Sequence, residues 1–215
     1  MRSIAVALFF LVAGNAFAQR ENISIGPMIG GSYATLANFK KVAPNLNPGY
    51  KLGFSGGVFV NYSIREHFGL TANVLYTRAG VKLDGSPNIN LDYIQVPVLA
   101  TYYFGNDLGN GAIRPKVFIG PSVNFQIGNN ALNNDAFKTV DIGATVGAGL
   151  NIGLPKQHWI NIDARFNRGF SKVYKADTPV ELKDVRNQSF SLLVGYSIPL
   201  GRYDKKNNSF HRAGK

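Results

Sequence analysis

The chain has 215 residues, a formal net charge of +11 and no cysteine. This length is sufficient for one domain, and the lack of cysteine excludes a lipoprotein and a small secreted module held together by disulfides. The positive charge favours anionic partners. The signs of export described next argue against nucleic acid as one of them.

The first 18 residues have the pattern of a secretory signal peptide. MRS supplies a positive charge, IAVALFFLVAG forms an apolar core, and NAFA ends in small residues before Gln19. A membrane anchor is disfavoured because the apolar run is shorter than the roughly 20 residues that a transmembrane helix needs. The sequence therefore predicts that residues 1–18 are a signal peptide, cleaved after Ala18.

Apolar residues alternate with small or polar residues in eight later segments, which is the pattern of β-strands with one apolar face. In the sixth segment, for example, Val140, Ile142 and Ala144 alternate with Asp141 and Gly143. In chain order the predicted strands are residues 22–34, 50–64, 68–78, 91–104, 114–128, 140–154, 159–170 and 188–200.

The length of these segments favours strands that cross a membrane. Most of them exceed ten residues, whereas strands of soluble proteins usually have about five or six residues and tilted membrane-spanning strands about 9–11. A soluble barrel such as a lipocalin would carry its apolar residues inside and its charges outside. Here the central parts of the apolar faces are uncharged, as the lipid-facing surface of a membrane barrel must be.

Aromatic residues and connection lengths support the same interpretation. Aromatic side chains of the apolar faces gather near the strand ends, where lipid headgroups meet hydrocarbon. Long polar connections alternate with short ones, the asymmetry expected between the outer and periplasmic ends of such a barrel. The sequence therefore predicts an all-β fold, an eight-stranded antiparallel up-and-down transmembrane β-barrel of residues 19–202 in the cell outer membrane, followed by a polar periplasmic tail of residues 203–215.

Prolines lie inside several predicted strands, where they cannot donate to the ladder of hydrogen bonds. Pro97 and Pro121 fall on neighbouring strands, and Pro27 and Pro199 fall on the first and last strands, which close the barrel. We expect locally weakened ladders at these points, bent by β-bulges. Ordinary tolerance of strain is favoured over a gating role.

The segment LDYIQVPVLATYYF (residues 91–104), with FIGPSVNF and GAGLNIGL downstream, resembles the outer-membrane β-barrel proteins of the Bacteroidetes, called PorT-like or porin-family barrels. The resemblance covers essentially all of the chain after residue 18. It implies an eight-stranded barrel in the outer membrane and no defined activity, and a role accessory to secretion would rest on this analogy alone. The tail after Leu200 departs from the family pattern because the chain continues past the last strand.

Four charged residues share the inward parity of their strands: Lys116, Asp141, Asp163 and Arg165. Paired carboxylates can perform acid–base chemistry, but basic neighbours favour a buried salt-bridge network. We therefore predict a structural polar cluster and no catalytic residue. Because His67 and His158 fall in short turns and His211 in the tail, the sequence also predicts no metal site and no cofactor.

Three functions remain open at this point. An eight-stranded barrel is just wide enough for its own side chains to fill it, which favours a structural or partner-binding protein with a filled lumen over a narrow pore for small solutes. A lipid-modifying enzyme is the least favoured.

The external loops suggest possible partners. Their cations could bind lipopolysaccharide phosphates, although solvated loops of mixed charge are an equal alternative. An envelope protein is a further possible partner. The candidate anion contacts are Lys40, Lys41, Lys172, Lys175, Lys183 and Arg186.

Overall fold

The computed structural model describes residues 23–37, 48–83, 89–129, 140–170, 186–204 and 209–212. Eight antiparallel strands form a closed barrel, in which each strand pairs with its neighbours in sequence and the last pairs with the first. This confirms the predicted up-and-down barrel. In chain order the strands are β1 (Ile23–Ala37), β2 (Pro48–Ser63), β3 (Phe68–Leu83), β4 (Ile89–Tyr103), β5 (Ile113–Asn129), β6 (Val140–Gly153), β7 (Trp159–Gly169) and β8 (Arg186–Pro199).

The alternation of side chains places most of the large apolar residues outside the barrel. Val58, Val146 and Leu192 are each about half exposed on the outer surface, whereas Asn73 and Asn124 are fully buried inside. This arrangement is the reverse of a soluble barrel and matches a barrel surrounded by lipid.

The two ends of the barrel differ in their connections. Three connections lie at one end of the barrel: residues 64–67, 104–112 and 154–158. The last of them contains a 3-10 turn at Pro155–Gln157. We call this end of the barrel the short-turn end, and barrels of this kind place it in the periplasm. The opposite, long-loop end carries the connections 38–47, 84–88, 130–139 and 171–185, which lie outside the described residues.

Aromatic side chains lie at both ends of the barrel. At the short-turn end, Tyr102 packs edge-on against Phe68 and Phe104, with ring centroids 4.9 and 5.0 Å apart. At the long-loop end, Tyr33 stacks on Tyr50 at 4.7 Å. These positions agree with the predicted girdles.

The prolines interrupt the ladders without shifting their register. The pairing of β3 with β4 is interrupted opposite Pro97, that of β4 with β5 opposite Pro121, and that of β1 with β8 opposite Pro27. The predicted bulges at these positions are wrong: the two register shifts lie elsewhere, between Tyr50 and Ser55 and between Asp92 and Tyr93. Two successive residue pairs are missing at each gap, where the proline has no N–H to donate, and the strand continues in the same register on either side.

After the barrel, β9 (Gly201–Asp204) and β10 (Ser209–Arg212) form a separate two-stranded sheet, which the sequence analysis did not predict. In the described part of the chain, no helix has the length and apolar character needed to span a membrane.

Candidate functional site in the barrel lumen

Three of the four residues predicted to form a polar cluster meet in the lumen. Lys116 Nζ lies 2.7 Å from Asp163 Oδ1, and Arg165 Nη2 lies 2.8 Å from Asp163 Oδ2. All three side chains are at least nine-tenths buried. One carboxylate therefore neutralises one of two cations, and we call this group the lumen triad.

The register of three neighbouring strands brings the lumen triad together. Lys116 in β5 lies opposite Gly149 in β6, and Gly149 lies opposite Asp163 in β7. A Cβ at Gly149 would stand 2.7 Å from Asp163 Oδ1 and 3.0 Å from Lys116 Cε. The Lys116–Asp163 ion pair thus passes over a position that must lack a side chain.

Arg165 extends this arrangement across the barrel. Its Nη2 donates to Asn73 Oδ1 in β3 at 3.2 Å and lies 3.3 Å from Met28 Sδ in β1. Its guanidinium carbon lies 5.5 Å from the centroid of the Phe118 ring. That ring lies opposite Gly147 and occupies the space that a Cβ there would fill.

Apolar side chains complete this layer at mid-barrel. Met28, Phe59, Leu75 and Leu193 form a buried cluster, with each side chain no more than 3% exposed. Together with Arg165 they close the middle of the lumen, and we call these five residues the mid-barrel block.

Hydrogen-bonded polar residues fill the lumen between the mid-barrel block and the long-loop end. Asn167 Nδ2 donates to Ser122 Oγ at 2.9 Å and to Thr145 Oγ1 at 2.8 Å. Ser55 and Thr77 share a hydrogen bond of 2.8 Å. A space of about 10 Å³ lies beside them, bordered by Arg165 and Leu193, and it is barely large enough for one water molecule.

The opposite half of the lumen is not filled, which corrects the prediction of a side-chain-filled barrel. A cavity of about 950 Å³ extends from the mid-barrel block to the short turns. Tyr103 crosses part of it and donates to Asn61 Oδ1 at 3.1 Å. Arg114 borders it, with its Nη2 donating to the Glu66 carbonyl at 2.6 Å and its guanidinium 5.2 Å from the centroid of the Tyr103 ring. We call this space the short-turn cavity.

The fourth predicted member of the cluster, Asp141, lies at a different level of the barrel. Asp141 lies opposite Asn124, whereas the lumen triad lies at the level of Gly149, eight residues further along β6. At about 3.3 Å per residue, the two positions are roughly 26 Å apart along the strand. The prediction that Asp141 belongs to the cluster is therefore wrong. Its carboxylate instead occupies the space where a Cβ at Gly169 would lie.

The predicted surface cations fall mostly outside the described residues. Lys40, Lys41, Lys172, Lys175 and Lys183 lie in connections that the structure does not describe, whereas Arg186 begins β8 at the long-loop end and is partly buried. The described barrel adds a surface ion pair at the same end, in which Arg78 Nε lies 2.9 Å from Asp92 Oδ1.

The two histidines of the short turns contact the barrel wall. His67 Nδ1 lies 3.0 Å from the Tyr103 carbonyl oxygen, and the His158 ring stacks on Tyr196 at 5.4 Å. Among the described residues, no group of three or more His, Asp or Glu side chains could hold a metal ion.

Comparison with known proteins gives the family. The family model described as "Outer membrane protein beta-barrel domain" matches residues 17–175. The chain belongs to this family. Its members are proteins of the outer membrane, so the family indicates that location for this chain.

Several solved structures are similar to this chain at low sequence identity, and the first of them shares its fold. The neisserial surface protein A is 20% identical with a TM-score of 0.54, over 83% of this chain and 97% of that one. Ail, the attachment invasion locus protein of Yersinia pestis, is 18% identical over 82% and 99% of the two chains, with a TM-score of 0.43. The outer membrane enzyme PagL is 14% identical over 80% and 99%, with a TM-score of 0.42. A comparison with curated proteins found no significant match.

Proposed function

We propose that this protein is a non-conducting outer-membrane barrel with a structural or partner-binding role at the cell envelope and no enzymatic activity. The observation that carries the proposal is the mid-barrel block. Arg165 spans from β7 to Asn73 in β3 and Met28 in β1, and the space that borders Arg165, Leu193 and Asn167 on the long-loop side is only about 10 Å³. A hydrated solute would have to displace both layers to cross the barrel.

The proposal includes the outer-membrane lipid as a partner. Aromatic girdles at both ends fit the two headgroup regions of a bilayer. Arg186 and the five loop lysines named above would add cations at the long-loop end, where charge-assisted hydrogen bonds could hold lipopolysaccharide phosphates. An envelope protein docked on the same loops is the second partner in this proposal, and nucleic acid is not a partner.

Within the outer-membrane barrel family, we assign the chain to the PorT-like branch of the Bacteroidetes on the segment Leu91–Phe104 and on Gly120–Pro121. A role accessory to secretion rests on that analogy alone. A cleaved signal peptide of residues 1–18 is part of the same proposal.

The alternative is a narrow pore, and the short-turn cavity is the observation that favours it. If the mid-barrel block moved, this cavity would form half of a continuous channel. Side-chain conformations alone would then decide between a closed barrel and a pore.

Single-channel conductance in planar bilayers tests the proposal. We expect the wild-type protein to show no conductance. Arg165→Ala combined with Leu193→Ala should open discrete steps, because both side chains belong to the mid-barrel block and also border the small space on its long-loop side, so that their removal opens both layers. Tyr103→Ala is the matched control, since Tyr103 lies in the cavity beyond the block and its removal should open nothing. Steady conductance of the wild-type protein would overturn the proposal.

A further inference from the structure

The short-turn cavity carries an excess of positive charge. Arg114, Lys116 and Arg165 line it together with one inner carboxylate, Asp163. At its mouth Arg65 is balanced by Glu66. The formal excess is therefore two positive charges in a space surrounded by a low-dielectric wall, where an anion is attracted more strongly than in bulk water.

Buried cationic donors in the cavity wall have no protein partner. Arg165 is 5% exposed, and its Nε and Nη1 have no hydrogen-bond partner in the described part of the chain. Arg114 is 7% exposed, and its Nε is also without a partner there. Buried polar groups are normally satisfied by protein, water or ligand, so both guanidinium groups, which line the cavity, keep unused capacity to donate hydrogen bonds.

The remaining wall can receive an apolar body. Phe59, Phe118 and Trp159 line the same cavity as the cations. Its volume of about 950 Å³ falls in the range of roughly 300–1,000 Å³ that holds small organic ligands. A bare inorganic ion would leave most of this space and its aromatic rings unused.

We propose that the short-turn cavity binds a small organic anion that enters from the periplasm. Its carboxylate or phosphate group accepts hydrogen bonds from Arg114, Arg165 adds positive charge at the inner end of the cavity, and its apolar part lies against the aromatic rings. The inference goes beyond the structural role proposed above and does not rest on it, because either a closed or a conducting barrel could carry this site.

Trp159 provides a direct readout because it is the only tryptophan in the chain and lines the cavity. The full-length protein in nanodiscs is titrated with cyclohexanecarboxylate, with cyclohexyl phosphate and with the uncharged isostere cyclohexanecarboxamide, while Trp159 emission is recorded. We expect a saturable change with at least one of the two anions and at least tenfold weaker binding of the amide. Equal binding of the amide and both anions, or no saturable change with any of them, would overturn the proposal.

A matched pair of variants separates a specific site from general attraction. Arg114→Gln and Arg78→Gln remove the same charge, but Arg78 lies on the outer surface. We expect Arg114→Gln to raise the Kd of the bound anion about tenfold, the loss of one charge-assisted hydrogen bond, and Arg78→Gln to leave it within twofold. Equal effects of the two variants would contradict the site.

A third measurement uses the wild-type protein alone, in case Arg114→Gln does not fold. We expect the anionic quencher iodide to reach Trp159 at least threefold more effectively at low salt than at high salt, with neutral acrylamide unaffected by salt. The absence of this difference would show that the cavity does not concentrate anions and would overturn the proposal.

Discussion

The Asp163 carboxylate is shared between two buried cations, Lys116 and Arg165. Each ion pair has an N–O distance below 3 Å, and Arg165 makes further contacts with Asn73 and Met28. Taking away the shared carboxylate would leave two like charges near each other in a barrel that has buried both of them. Such a loss is costly because the remaining charges keep their desolvation penalty.

We predict that Asp163→Ala lowers the free energy of unfolding by about 3–5 kcal/mol, measured by urea titration of the protein in lipid vesicles. Asp92→Ala is the matched control, since its ion pair with Arg78 lies on the surface, with the arginine side chain 52% exposed, and its loss should have little effect on stability. Similar losses in the two variants would show that the lumen triad is hydrated like the surface pair.

Which residues face the lumen could be predicted from the sequence, but their level along the barrel could not. The period-two alternation correctly predicted that four charged side chains point into the barrel: Lys116, Asp141, Asp163 and Arg165. The register between strands then decides which of them meet, and it separates Asp141 from the other three by eight residues along β6. Arg114 has the same parity as Lys116 and could have been named by the same rule.

At the scale of the strand, one face meets lipid and the other meets polar lumen residues. Val146 is in the middle of β6, is 47% exposed, and lies between Ile119 in β5 and Phe166 in β7. Ile113 is also exposed but begins β5 at the short-turn end. The two positions therefore sample the same face at different depths of the membrane.

We predict that Val146→Lys costs about 2–4 kcal/mol of stability in vesicles and that Ile113→Lys costs about 0–1 kcal/mol, because the penalty for a lipid-facing lysine falls towards the interface. Urea unfolding of both variants measures the difference. If Val146→Lys were neutral or stabilising, this face would have to lie in water.

The alternation of apolar and polar residues predicted which segments are strands. It did not predict where the pairing between strands shifts or is interrupted. A run of period two marks a strand whatever its neighbours are. A register shift, by contrast, depends on how two strands are matched along their whole length, which explains why the shifts at Tyr50/Ser55 and Asp92/Tyr93 had no local signal. The prolines are a local signal, but they mark positions where the pairing between strands is interrupted and not the positions of β-bulges.

At the scale of the whole molecule, a closed barrel leaves no strand edge open to solvent. We therefore predict that the protein migrates faster on an SDS gel before boiling than after it, and that it stays in the membrane fraction after a carbonate wash. Identical migration, with release into the wash, would contradict a membrane-inserted barrel.

The short-turn cavity is the feature that the sequence could not reveal. Its volume depends on where long side chains point, and both Lys116 and Arg165 turn towards Asp163 instead of spreading through the lumen. The sequence pattern left an open channel and a filled barrel as alternatives. A barrel closed in its middle and hollow at one end is a third arrangement, which can be predicted only from the directions of these side chains.

The interrupted ladders divide the wall into a stiff arc and a compliant arc. From β5 to β8 the pairing continues without a gap, whereas the gaps at Pro97, Pro121 and Pro27 fall on the ladders around β4 and at the closure of β1 with β8. Changes in the cross-section of the barrel would thus be taken up on one side. Backbone amides of residues 72–75 should exchange with deuterium faster than those of residues 145–148, and equal protection would mean that the wall deforms evenly.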